Sequence, residues 1–259
     1  FSNSAWKILY KKGFFAEKIC YTILGYLKRF FFLFKLNSFD ILYIHLWVTP
    51  IGMPIFEWIY SLMGKEIIYD IDDLVFLGVK SKANASIPFL KTSSKTNVLL
   101  KNASHVITCT PYLDKYARKF NPNTTDISST VNLAEYQFQN KKIDKSPITL
   151  GWSGSHSTSQ YLTLLKPVFE QLAKKYQIRL FVIGDDEVNF KEIPTISKKW
   201  DRKTEVEDLS QIDIGLYPLP NEQWVYGKSG LKAIQYMALG IPTIATNIDT
   251  ISRIIIMGF

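Results

Sequence analysis

Gly227, Lys228, Ser229 and Gly230 stand between an apolar run, Ile214 to Leu219, and a helical pattern that continues to Leu239. A glycine-containing loop entering a helix presents free backbone N–H groups and the positive end of a dipole, which suits a phosphate or diphosphate. Lys228 and Lys232 lie one turn apart and add charge, and Leu231 sits in the first turn. A second small-residue turn, Gly154-Ser155, follows the strand pattern Ile148 to Trp152. There the backbone comes close to a ligand and a hydroxyl can donate to phosphate; a tight turn without a ligand is the plainer alternative.

Asp70, Asp72 and Asp73 gather at the end of another apolar run. Carboxylates placed so close repel one another, which favours a functional role for Asp72 and Asp73. A divalent-cation site and solvated loop acids are the competing readings. His45 ends a strand pattern in the same half and would line a cleft or sit in a core. No histidine has metal-ligand spacing.

The segment from Asp213 to Thr246 resembles the nucleotide-sugar segment of group 1, or family four, glycosyltransferases. The run Ala238-Leu239-Gly240-Ile241-Pro242-Thr243-Ile244-Ala245 matches their A-x-G-x-P-x-x-A. The family's pair of acidic residues falls here on Gly227 and Gln235 and does not match. Lys228, Lys232, Gln235, Tyr236 and Met237 fit a branch with K-x-x-x-K-x-x-[EQ]-Y-M-A-L-G. Trp200, Glu205 and Leu209 before Asp213 resemble a further segment of the family.

That resemblance implies a GT-B fold, two Rossmann-like domains facing across a cleft. It implies transfer of a sugar from a nucleotide-diphosphate donor to a hydroxyl acceptor with retention, without metal or other cofactor. By the same resemblance Gln235 would meet the ribose and Trp200 the base, although core packing suits Trp200 equally. Asp72 and Asp73 fall where many members carry a His-Asp pair beside the reacting sugar. A glycan or a lipid-linked glycan is the implied acceptor, in cell-surface polysaccharide or glycolipid synthesis. A degenerate binding or scaffold protein and a sugar-nucleotide epimerase are the alternatives. Beside the family, the chain looks incomplete at both ends.

The elements that position these residues read as two α/β series. Ile41–Leu46, Glu66–Ile71 and His105–Thr110 are strand runs, alternating with helical patterns near 54–63, 89–101 and 111–120. Ile148–Trp152, Ile178–Ile183, Ile214–Leu219 and Pro242–Ala245 form the second series, with a helix expected over Tyr161–Tyr176. A polar linker at 140–146 divides the chain into an acceptor-side domain, 1–146, and a nucleotide-sugar domain, 147–259.

The 259 residues are 47% hydrophobic and 21% charged, the composition of a globular chain. Cys20 and Cys109 make no framework and read as reduced thiols of a cytoplasmic protein. The sequons at Asn84, Asn102 and Asn123 read as chance. The net charge of +8 lies in the first 146 residues, with 19 basic against 11 acidic side chains; the rest is balanced. Residues 1–35 alone hold seven basic residues against Glu17, interleaved with aromatics. No uninterrupted apolar run is long enough to span a bilayer. This stretch suits the inner surface of an anionic membrane, or else is a solvated face of the first domain. Nucleic acid is the less favoured partner, because no recognised binding motif accompanies the charge. Gly227-Lys228-Ser229 is not a P-loop, because Glu222 stands where glycine is required, and no G-x-G-x-x-G follows a strand pattern.

Overall fold

The computed structural model describes residues 8, 13–49, 52–63, 65–77, 94–137 and 146–255. The chain divides into two compact units, Phe1–Ile127 and Ser128–Phe259. The expected division at 146 lies further along, and most of the expected linker falls outside the described residues. Tyr136 belongs to a core cluster of the second unit.

The first unit carries α1 (Phe15–Leu33), β1 (Ile41–His45), α2 (Ile55–Leu62), β2 (Glu66–Ile71), α3 (Ser94–Asn102), β3 (His105–Thr108), α4 (Pro111–Ala117) and β4 (Thr124–Asp126). The strands form one parallel sheet in the order β1-β2-β3-β4. Strand β1 alternates, with Leu42 and Ile44 buried and Tyr43 and His45 outward, because only one of its faces is covered. Thr110 caps α4 by accepting from Leu113 N–H, and Pro111 opens the helix, a local start signal.

A buried polar cluster ties the helices of this unit to the loop after β1. Lys95 on α3 donates to Thr49 O and Oγ1, each at 2.7 Å, while Glu57 on α2 accepts from Thr49 N–H at 2.9 Å. Burial lowers the Lys95 pKa, and the neighbouring Glu57 opposes that shift. Such a buried pair survives only when its hydrogen bonds are satisfied, and removing one partner strands a charge in the core.

The second unit carries β5 (Ile148–Ser153), α5 (Lys166–Ala173), β6 (Ile178–Ile183), β7 (Thr195–Lys198), α6 (Glu205–Leu209), β8 (Ile214–Tyr217), α7 (Leu231–Ala238), β9 (Thr243–Ala245) and α8 (Asp249–Ile254). Its parallel sheet has the order β7-β6-β5-β8-β9. The chain winds outward from β5 in both directions, so β5 and β8 flank a topological switch point. Alternate residues feed two cores. Trp152, Leu180 and Val182 pack with Leu162 and Phe169 on one face, and Phe181 and Ile183 with Ile212 and Tyr236 on the other.

The structure departs from the expected elements at several points. The single helix expected over Tyr161–Tyr176 is a 3-10 segment, Ser159–Leu165, followed by α5. Within that range Phe169 is buried and Val168 exposed. Strands β4 and β7 are too short and polar to stand out as apolar runs.

Candidate nucleotide-sugar site

The carboxyl ends of β5 and β8 carry the residues singled out for a donor. Beyond β5 the chain turns at Gly154, and Gly184 at the end of β6 presses against it. A Cβ on Gly184 would lie 1.7 Å from Gly154 O, and its φ of +112° also requires glycine. The turn then presents hydroxyls, with Ser155 Oγ 2.9 Å from Ser157 Oγ and Ser155 N–H donating to Thr158 Oγ1.

Helix α7 begins at Leu231, with Gly230 as its N-cap at φ 75°. Ser229 and Gly230 thus belong to the approach, and the first helical N–H groups are those of Leu231 and Lys232. A left-handed Gly230 turns the chain from the preceding 3-10 segment, Gln223–Gly227, into the helix axis. Tyr236 anchors the helix from beneath the sheet end, its hydroxyl accepting from Ser153 N–H at 2.9 Å.

Lys232 reaches from α7 to the β5 turn. Its Nζ lies 5.2 Å from the Trp152 ring centroid and would be 2.9 Å from a Cβ on Gly154. Burial, then the nearby Lys228, lowers its pKa to about 8, against the opposing pull of Glu205. A cation with lost hydration at a helix N-terminus is poised for an anion. Lys228 is turned onto Trp224, 5.4 Å from that ring's centroid, and Trp224 meets Tyr161 at 5.6 Å. The loops after β5 and β8 therefore touch through an aromatic pair that no sequence spacing signals.

Gln235 and Trp200 converge on Glu205. The Trp200 indole donates to Glu205 Oε1 at 3.0 Å, Arg202 to Oε2 at 2.8 Å and Gln235 to Oε1 at 3.3 Å. Gln235 also donates to the Tyr136 hydroxyl at 2.7 Å. Burial alone would raise the Glu205 carboxyl, but hydrogen bonds from Trp200, Arg202, Tyr136 and Gln235 hold it below its ordinary value. The Trp200 ring itself is half exposed. Glu205 appears in the sequence only as a pattern letter, and Tyr136 carries no signal at all.

In the first unit the three carboxylates part company. Asp70 accepts from the Tyr43 hydroxyl. Asp72 lies 3.4 Å from His45 Nε2, and both are about half exposed. Asp73 accepts from Leu74 N–H at 2.8 Å and so secures the turn beyond β2. Cys109 donates to Asp72 O, and burial together with Asp72 pushes its thiol up to about 12. The strand ends thus bring together His45 and Asp72, while Asp73 serves the local turn.

Among the described residues one group gathers possible metal-ligand atoms within 4.8 Å: His156, Asp185 and Glu187. Buried Asp185 accepts from Glu187 N–H and Ser159 Oγ and lies 3.1 Å from His156 Nδ1. Its oxygens therefore secure the turns after β5 and β6.

No family model matches the sequence, and no curated protein matches it. Solved structures do. A sucrose-phosphate synthase from Thermosynechococcus elongatus aligns with TM-score 0.54 at 15% identity, over 82% of this chain and 57% of that one. TarM aligns with TM-score 0.57 at 15% identity, over 84% and 44%. A glycosyltransferase from Rickettsia africae aligns with TM-score 0.57 at 15% identity, over 90% and 64%. The chain spans between 44% and 64% of these proteins' lengths. The fold is that of the GT-B glycosyltransferases, with two Rossmann-like halves, as the sequence resemblance implied.

Proposed function

We propose that the protein is a glycosyltransferase using a nucleotide-diphosphate sugar. The observation that carries this reading is the approach of Lys232 to the Gly154 turn at the switch point between β5 and β8. Doubly wound sheets bind ligands at that point, and here a cation, a hydroxyl-lined turn and a helix N-terminus meet. The N–H groups of Leu231 and Lys232, with the Lys228 and Lys232 ammonium groups, stabilise negative charge as the diphosphate leaves. Gly154 and Ser155 close on the phosphates, and Gln235, with Trp200 held through Glu205, borders the nucleoside. In the first unit His45 and Asp72 orient the acceptor hydroxyl.

Retention at the anomeric carbon, independence of metal and a glycan or lipid-linked acceptor complete the proposal by resemblance. So does a place in cell-surface polysaccharide or glycolipid synthesis, at the cytoplasmic face of a membrane. Among the described residues no helix is long and apolar enough to cross a membrane. A surface association through residues 1–35 is the reading that their charge supports.

Thermal-shift titration with a panel of nucleoside diphosphates tests the donor site, and transfer to glycan acceptors tests turnover. A panel without any stabilising member removes the reading. One observation favours a second function, nucleotide-sugar binding without turnover. Gly227 is buried where the family carries an acidic residue, and Gln235 is already engaged by Tyr136 and Glu205. Nucleotide binding with neither transfer nor donor hydrolysis would decide for it.

A further inference from the structure

A third cluster adjoins the phosphate position, and the donor contacts described so far leave it without a task. The loop after β5 carries Tyr161 and the loop after β8 carries Glu222 and Trp224. The Tyr161 and Trp224 rings meet with centroids 5.6 Å apart. The Trp224 indole donates to Glu222 Oε2 at 2.5 Å. Burial and then the Glu222 charge raise the Tyr161 pKa, so the same carboxylate acts on both rings. Lys228 Nζ lies 5.4 Å from the Trp224 centroid, and Lys228 in turn acts on Lys232. Both rings stay partly exposed, and Glu222 is exposed beside them.

The plainest task for two rings is to pin two loops together, but pinning needs no carboxylate. An aromatic wall with a charged acceptor at its edge suits a ligand that carries C–H and hydroxyl groups on one small ring. A sugar is such a ligand. Its C–H groups pack on an aromatic face, and its hydroxyls donate to a carboxylate in charge-assisted hydrogen bonds. Trp224 takes one place on Glu222, and a carboxylate accepts about four hydrogen bonds in all. Chain order agrees. Gln235, joined to Glu205 and Trp200, follows Lys232 along α7, whereas Lys228 and Trp224 precede it. A nucleotide-diphosphate sugar carries a nucleoside at one end of its diphosphate and a sugar at the other, and needs contacts beyond each end.

We infer that Trp224, Tyr161 and Glu222 form the sugar subsite of the donor, and that this subsite selects neutral sugars over hexuronic acids. The inference rests on the nucleotide-sugar reading above and names the class of sugar. Selection follows from Glu222: a carboxylate on the sugar would meet a second carboxylate, and like charges brought together are costly. The Lys228 ammonium is engaged by the diphosphate and does not offset that cost.

Calorimetric titration tests this with ligands that share a nucleoside. One series is UDP, UDP-glucose, UDP-galactose, UDP-N-acetylglucosamine and UDP-glucuronate; the other is GDP, GDP-mannose and GDP-mannuronate. A neutral ester is expected to bind about tenfold or more tighter than the uronate of the same nucleoside. Glu222→Gln is expected to remove most of that preference and to leave the affinity for free UDP or GDP unchanged. Trp224→Ala is expected to weaken the neutral ester about fivefold relative to the free diphosphate. That ratio cancels any movement of Lys228, whose phosphate contact enters both affinities. Glu222 is exposed, so Glu222→Gln keeps the test intact if Trp224→Ala fails to fold. Equal or tighter binding of the uronate, or a preference that survives Glu222→Gln, overturns the selection. An unchanged ratio in Trp224→Ala overturns the subsite and leaves the rings to pin the loops or border the nucleoside. Binding of a free diphosphate but of no ester overturns the inference while the nucleotide reading stands. No binding by any member overturns the inference, and the wider nucleoside-diphosphate panel judges the transferase reading separately.

Discussion

Lys232 Nζ stands 5.2 Å from the centroid of Trp152, across the turn where Gly154 leaves no room for a side chain. One residue comes from α7 and the other from β5, so the pair joins the two strand ends of the switch point. Burial and then Lys228 hold the Lys232 ammonium at about 8 rather than 10.5. The folded protein therefore binds fewer protons than the unfolded chain between those values. The charged form costs stability below about pH 8, and that cost fades as pH rises toward 10.5.

A diphosphate bound at this point would restore the proton. Nucleoside-diphosphate affinity is expected to fall as pH rises through about 8, with proton uptake on binding visible in buffers of different ionisation enthalpy. Lys232→Met should weaken binding by roughly 1–3 kcal/mol and flatten the pH dependence. Lys228→Ala should weaken it on the same scale and move the pH dependence upward, because Lys228 helps to hold the Lys232 pKa down. Unchanged affinity in calorimetry would remove either lysine from the site.

Gly184 is expected to tolerate no side chain. A methyl group there meets the Gly154 carbonyl, and φ +112° is strained for any L residue. Gly184→Ala should cost roughly 3 kcal/mol or more, because both strand-end loops must move. Thermal unfolding of the variant checks this, and a wild-type melting temperature would show that the two turns are not locked together.

Glu205 is expected to act as the keystone of the Trp200–Gln235 cluster. Its folded pKa lies below the ordinary value, so its contribution is fully present above about pH 4.5 and is lost as pH falls through the folded pKa. Glu205→Gln should destabilise the protein by roughly 1.5–3 kcal/mol at neutral pH, the scale of hydrogen bonds to a charged group. The difference from wild type should close in acid. A difference that persists at low pH would mean that packing, not charge, holds the cluster.

Asp72 and Asp73 are expected to behave differently. Asp72 faces His45, whereas Asp73 accepts from Leu74 N–H. Asp72→Asn should lower kcat with nucleotide affinity near wild type, and Asp73→Asn should act mainly through stability, by roughly 1 kcal/mol. Steady-state kinetics with calorimetry separates the two. Equal kcat losses would return Asp73 to the chemistry.

The strands were legible in the sequence because a buried parallel strand must be a short, nearly continuous apolar run. Glu66–Ile71 and Ile178–Ile183 are found as expected, and the others differ only at their ends. The glycine loop before α7 was legible because its signal is local, and the helix starts directly after it, at Leu231. Strands β4 and β7 were not, since Thr124–Asp126 and Thr195–Lys198 take their pairing from neighbours rather than from their own composition.

The sequence alone determined two alternating α/β series, the concentration of positive charge in the first and a candidate phosphate loop in the second. Tertiary structure decided which of the marked side chains act together. It set Gln235 against Tyr136, a pair 99 positions apart, paired His45 with Asp72 rather than Asp73, and laid Lys232 across Trp152. It also decided which side of α1 faces out. A helical pattern records that one side is apolar but not what that side meets, because periodicity is a property of neighbours three and four residues apart. Contacts between strand ends are made by the sheet, whose parallel order brings distant loops to one edge.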